Sequence, residues 1–244
     1  MMADQASAVV AVPRRRRPKV NADHPIYEID LWLIDSDPPI WRTLAVPANL
    51  TLGMLHHLIQ IVMRWEDAHL HQFETKSGRC FEPRQQVGGV DAMWRMMVGQ
   101  HDRVEDERRV TLRDVFDELK QKIVYVYDFG DSWAHGIKLI NTHADASAFA
   151  RVPVCLAGQR AGPPEDCGGI WGYQEKLEIL RNPDPEDEWH QEIIEWMGGE
   201  DYDPEAFDLA EKNRHIDAAW RARSRSSSRG GRRGGTKRRR RKSR

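Results

Sequence analysis

Three cysteines, Cys80, Cys155 and Cys167, are all the thiols the chain has. So odd and sparse a set excludes the dense disulfide framework of a small secreted domain. No apolar run approaches the ~20 residues needed to cross a bilayer, which excludes a spanning helix. Near the start, the apolar residues precede the cluster Arg14, Arg15, Arg16 and Arg17, the reverse of the order in a signal peptide. A reducing, cytoplasmic setting is the expectation. The chain also lacks a CxxC pair, HExxH, a serine elbow, a P-loop and a dinucleotide fingerprint, so no familiar catalytic or metal motif is present.

Acids are missing from one region altogether. Residues 221–244 hold thirteen Lys and Arg and no Asp or Glu, and residues 1–20 hold five bases and one acid. Residues 21–220 are left with 19 bases and 37 acids, a formal charge of −18, although the whole chain is at −1. An acidic body therefore carries two basic arms. At 244 residues the chain suffices for one generous domain or two small ones.

The body is organised around YVYDFGDSWAH at residues 125–135. Tyr125, Tyr127 and Phe129 alternate with Val126 and Asp128 as a strand does. Gly130, Asp131 and Ser132 supply a turn, and Trp133, His135 and Ile137 resume the alternation. A companion stretch, WEDAHLHQF at residues 65–73, runs from Trp and carboxylates into an expected third strand bearing His69 and His71. Upstream, Tyr27, Ile29, Leu31 and Leu33 share a face of a first strand, and residues 40–46 return as the second after a proline-marked turn. Thr51 reads as the N-cap of a helix with Leu52, Leu55, Leu58, Ile59 and Val62 at helical spacing, ending near Arg64. His56 and His57 lie on it, and neighbouring helix positions face apart, so at most one is expected in a shared site.

Residues 76–108 read as an irregular excursion containing a Met/Trp cluster at residues 93–97. Val110, Thr111 and Leu112 repeat the helix-start chemistry of Leu50, Thr51 and Leu52. Residues 145–173 are Pro- and Gly-rich and read as an ordered loop. Helical patterns follow at residues 173–180, 185–197 and 204–220. The remainder, rich in Arg, Ser and Gly, is low in complexity and expected to be disordered, as are residues 1–23.

These pieces resemble the plasmid pRiA4b ORF-3-like family, whose members are also described as TnpR-like passenger proteins of insertion elements. The resemblance rests on LWLIDSDPPIWRTLAVPANLTLGMLHHLIQIVMRWEDAHLHQFE, VYDFGDSWAH, PVCLAGQRAGPPEDCGGIWGY and DYDPEAFD, in order across residues 26–210. It implies an α+β domain, in agreement with the patterns: one domain over residues 24–218, mostly antiparallel strands packed with helices, a C-terminal helical segment, and basic termini at 1–23 and 219–244.

Asp128, Asp131, His135 and Glu165 are the candidates for acid–base chemistry; hydrogen-bonding the bend of the hairpin and capping a loop are the competing roles. His69, His71 and Trp133 are candidate binding residues, with Arg238, Arg239, Arg240 and Arg241 for a polyanion. His69, His71, His135, Cys155 and Cys167 include zinc-ligand types, but Cys155 and Cys167 lie twelve apart without a recognised spacing. No metal or other cofactor is therefore expected. Trp41, Trp65, Trp133 and Trp171 are expected as core anchors. The resulting expectation is a non-enzymatic, mobile-element-associated accessory or binding protein whose tail contacts nucleic acid; the alternative is a hydrolase or transferase using the Asp/His/Glu group. No membrane partner is expected, and the sequence carries no mark of an oligomeric state.

Overall fold

Period-2 alternation turns Ile29, Leu31 and Leu33 inward along β1 (Ile26–Leu33), which pairs antiparallel with β2 (Trp41–Pro47). The computed structural model describes residues 24–84, 104–199 and 202–230. Helix α1 (Leu52–Met63) starts as the sequence predicts, with the Thr51 side chain accepting the Met54 N–H at 3.3 Å, and stops at Arg64, whose left-handed backbone (φ 67°) reverses the chain. Its buried face carries Leu52, Leu55, Leu58, Ile59, Val62 and Met63, each adding roughly 1.5–3 kcal/mol by leaving water.

The next strands are β3 (His71–Thr75), β4 (Cys80–Glu82) and β5 (Val104–Asp106). The hairpin forms as expected: β6 (Lys122–Tyr127) and β7 (Trp133–His143) pair with Tyr127 opposite Trp133 and Tyr125 opposite His135. The final strand, β8 (Val154–Gln159), precedes three helices, α2 (Gly169–Arg181), α3 (Glu188–Trp196) and α4 (Leu209–Gly230). The strands make one sheet in the order β5-β4-β3-β6-β7-β1-β2-β8, antiparallel except for β4 beside β5. The hairpin is thus the middle of the sheet, and the fold is α+β. α1 packs its apolar face onto the inward residues of the sheet, and α4 reaches the same core through Ile216.

Several boundaries differ from the sequence reading. Residues 65–70 are loop, because their amides bond to side chains instead of a ladder: Ala68 and His69 N–H reach the Tyr127 hydroxyl at 3.0 and 3.3 Å. After Thr111 there is a single 3₁₀ turn, Leu112–Asp114, held by Asp114 Oδ2 on the Thr111 amide and hydroxyl at 2.8 and 2.7 Å. The repeated tripeptides pair with each other: Leu52 N–H donates to Val110 O at 3.0 Å, and Leu112 N–H to Leu50 O at 2.9 Å. Within the expected loop of residues 145–173 lies β8, an edge strand. The second helix begins earlier than expected, at Gly169, and the last begins later and continues to Gly230, so residues 219–230 are helical. They include Ala and Arg, good helix formers, and no Gly or Pro until Gly230. Trp171 is 74% exposed and anchors nothing in the core. The N-terminal arm and the Met/Trp cluster at residues 93–97 lie outside the described residues.

Candidate functional site

Three loops meet at one end of the sheet, at residues 65–70, 128–132 and 163–169. Side chains stitch them together. Trp65 Nε1–H donates to Pro163 O at 2.8 Å, and Glu66 N–H to Glu165 Oε2 at 2.9 Å. The Tyr127 hydroxyl, which already accepts two amides from the first loop, donates to Glu165 Oε1. Asp128 N–H bonds Leu70 O at 2.8 Å, and Gly168 N–H donates to Asp131 Oδ2 at 3.1 Å. Gly169 is glycine of necessity: its φ is +67°, and a Cβ there would stand 2.2 Å from Asp131 O. Three aspartates on these loops, Asp67, Asp128 and Asp166, hold left-handed backbone (φ 60°, 55° and 58°), a conformation that short polar side chains tolerate best.

Two groups of metal-competent side chains form here. In the first, His69 lies between Asp128 and Asp166, with Nδ1 3.6 Å from Asp128 Oδ2 and Nε2 3.2 Å from Asp166 Oδ1. In the second, Asp67 spans two histidines of α1: Oδ1 is 2.7 Å from His56 Nε2 and Oδ2 is 3.2 Å from His57 Nδ1. This corrects the expectation that only one of the adjacent histidines joins a site. A single carboxylate with two oxygens, brought back over the helix by the turn at Arg64, faces both.

Beneath that second group lies a buried relay. His56 Nδ1 is 2.8 Å from Tyr125 Oη, and Gln60 Nε2 donates to the same hydroxyl at 3.1 Å while Gln60 Oε1 accepts the Asp67 amide at 3.0 Å. Tyr125 is fully buried, which raises its pKa well above the ordinary phenol range. The relay is satisfied when Tyr125 O–H donates to His56 Nδ1 and His56 Nε2–H donates to Asp67. The His56 ring lies flat on His71, centroids 3.5 Å apart, and His71 Nε2 meets buried Glu107 Oε2 at 2.8 Å. Burial lowers the pKa of His56, against the opposing bond from Asp67. For Asp67 burial acts upward, but the His56 hydrogen bond and the neighbouring imidazoles outweigh it and hold the carboxyl below its usual range.

The residues singled out from sequence fall into different places. His69, Asp128, Asp131 and Glu165 gather on the loops described above, Asp128 also accepting the Gly130 amide at 2.9 Å. His135 and Trp133 do not join them: both are enclosed in the core, so neither contacts a solvent-borne ligand, which corrects their catalytic and binding candidacy. His135 Nδ1–H donates to Trp133 O at 3.0 Å, and burial pushes its pKa down to about 3. The cysteines do not converge with the histidines either. Burial drives the Cys155 thiol up to about 11 and the Cys167 thiol up to about 12, and among the described residues no metal-competent group includes a cysteine. The five-residue His/Cys set is therefore not a site. Arg238, Arg239, Arg240 and Arg241 lie outside the described residues. Sequence reasoning missed Glu107, placed in the supposed excursion, and the Tyr127–Glu165 pair. No local pattern announces either contact.

Comparison with known proteins sets this arrangement in a group. A family model described as plasmid pRiA4b ORF-3-like protein matches residues 25–211. An uncharacterized protein of Sinorhizobium fredii is 34% identical over 193 residues, covering 78% of this chain and 91% of the relative. A crystal structure of a protein of unknown function from Methanosarcina mazei superposes with a TM-score of 0.63 at 35% identity, over 77% of this chain and 96% of that one.

Proposed function

The chain belongs to the plasmid pRiA4b ORF-3-like family, and from that premise we propose a non-catalytic, mobile-element-associated accessory protein of the cytoplasm that binds nucleic acid through its basic tail. The observation that carries this reading is the segregation of charge: −18 over residues 21–220 against thirteen bases and no acid in residues 221–244. A chain segment so dense in Arg and Lys binds polyanions by releasing their counterions, with little regard to sequence. The body itself makes a poor polyanion surface. Three of its cations, Arg42, Arg160 and Lys212, are enclosed. Arg42 spends its guanidinium on the carbonyls of Trp41, Val62, Gln159 and Arg160, and burial brings Lys212 down to about 8.

The hydrolase or transferase alternative has less to stand on. Of its four groups, His135 is sealed in the core, Glu165 and Asp131 staple loops, and Asp128 caps its own turn. No described helix is long and apolar enough to cross a membrane.

Removing residues 231–244, which hold nine of the thirteen bases, tests the proposal. In a mobility-shift assay at low salt, the full chain retards a labelled DNA duplex and the 1–230 form does not. Equal retardation by both forms overturns the proposal.

A further inference from the structure

We propose that His56, His57 and Asp67 form a binding site for a divalent transition metal of the zinc class, with one coordination position open to solvent. The donor set is two imidazole nitrogens and a carboxylate, the mix that zinc and its first-row neighbours favour. One ligand atom from each residue lies within 4.8 Å of the other two. Two ligands at about 2.0–2.1 Å from a tetrahedral ion stand roughly 3.3 Å apart. The 3.2 Å between His57 Nδ1 and Asp67 Oδ2 already has that spacing. The 2.7 Å between His56 Nε2 and Asp67 Oδ1 is a hydrogen bond. A metal takes this nitrogen in the other tautomer of His56, with the proton moved to Nδ1 and donated to Tyr125 Oη, and the pair widens by about 0.6 Å to the ligand spacing.

Outer contacts aim these ligands before any ion arrives. The second nitrogen of His56 is fixed by Tyr125, Tyr125 by Gln60, and the Asp67 amide by the other end of Gln60. His71, held by Glu107, backs the His56 ring face to face. Such second contacts set ring orientation and are typical of real metal sites. The site also has an entrance, since the side chains of His57 and Asp67 are 42% and 40% exposed while His56 closes the inner wall. The group around His69 offers less. It has one imidazole, and its two carboxylates approach different nitrogens of that ring.

The test uses the full chain, stripped with a chelator and titrated with Co²⁺, whose visible absorption reports coordination, followed by displacement with Zn²⁺. The expected result is one equivalent of Co²⁺ bound and displaced. His57→Ala and Asp67→Asn each weaken binding about tenfold or more, and His69→Ala leaves it unchanged. Circular dichroism and unfolding midpoints establish that the variants are folded. Asp67→Asn retains an acceptor for His56, and His57 is half-exposed. Failure to bind an equivalent overturns the proposal, as does undiminished binding by the folded His57→Ala and Asp67→Asn variants. Loss of binding in His69→Ala alone also overturns it, by placing the ion at the other group.

Discussion

His135 occupies the centre of the sheet without a partner for its second nitrogen: Nδ1 bonds Trp133 O and buried Nε2 bonds nothing. Its ring instead fills space between Trp65, with ring centroids 5.3 Å apart, and Tyr125, at 5.7 Å. His135→Ala is expected to destabilise the domain by about 2–4 kcal/mol, mostly through lost packing. Denaturant unfolding checks this, and a midpoint unchanged from the parent would contradict the assignment to the core. The same residue makes stability depend on pH. Burial, aided by the charge of Arg42 and opposed by the Trp133 carbonyl, lowers its folded pKa from 6.5 to about 3. The folded state keeps His135 neutral while the unfolded chain takes up a proton below about pH 6.5. Its contribution is thus fully present above pH 6.5 and is lost as pH falls toward 3, by up to about 1.4 kcal/mol per pH unit. His135→Leu should show a shallower loss of stability between pH 6 and 4 than the parent. Parallel curves would contradict the buried neutral imidazole.

At the scale of elements, the strands with strict alternation were legible in the sequence, and those held by tertiary partners were not. β6 and β7 declare themselves through Tyr125, Tyr127, Trp133 and His135, all inward-facing. β8 hides among prolines and glycines because its outer edge is satisfied by a side chain. Asn213 of α4 accepts the Cys155 amide at 2.9 Å and donates to the Cys155 carbonyl at 2.9 Å, a one-residue substitute for a ninth strand. Asn213→Ala should therefore cost about 1–3 kcal/mol by leaving two buried backbone groups unpaired. Amide exchange at Cys155 should accelerate with it, and unchanged protection there would show that α4 does not close the edge. On the outer face of the sheet, Trp32 lies across Gly136, where a Cβ would come within 2.0 Å of the indole. Gly136→Ala should displace Trp32 and weaken the β1–β7 pairing, read as a lowered thermal midpoint; an unaltered midpoint would mean that the indole shifts freely. The candidate site was legible only in its residue types. His69 and Asp128 belong to motifs visible in the sequence. The contacts of Asp67 with both histidines and of His71 with Glu107 depend on a helix-ending reversal and on a segment 36 residues away, which periodicity does not encode.

The whole molecule is an acidic body joined through α4 to a basic tail. That division follows from charge counts alone, because segregation along the chain needs no folding to be seen. α4 adds a helix that continues beyond its core contact at Ile216 to Gly230, so the tail starts from an anchored element. The most direct test of this division is the salt dependence of DNA affinity, followed by fluorescence anisotropy, for the full chain and for residues 1–230. Each phosphate neutralised contributes roughly 0.9 to the slope of log affinity against log salt. Since residues 231–244 carry nine bases, the full chain should show a steep negative slope, about −4 to −8, and residues 1–230 a much shallower one with weak binding. Identical affinity and slope for the two forms would contradict the account and put the contact on the acidic body.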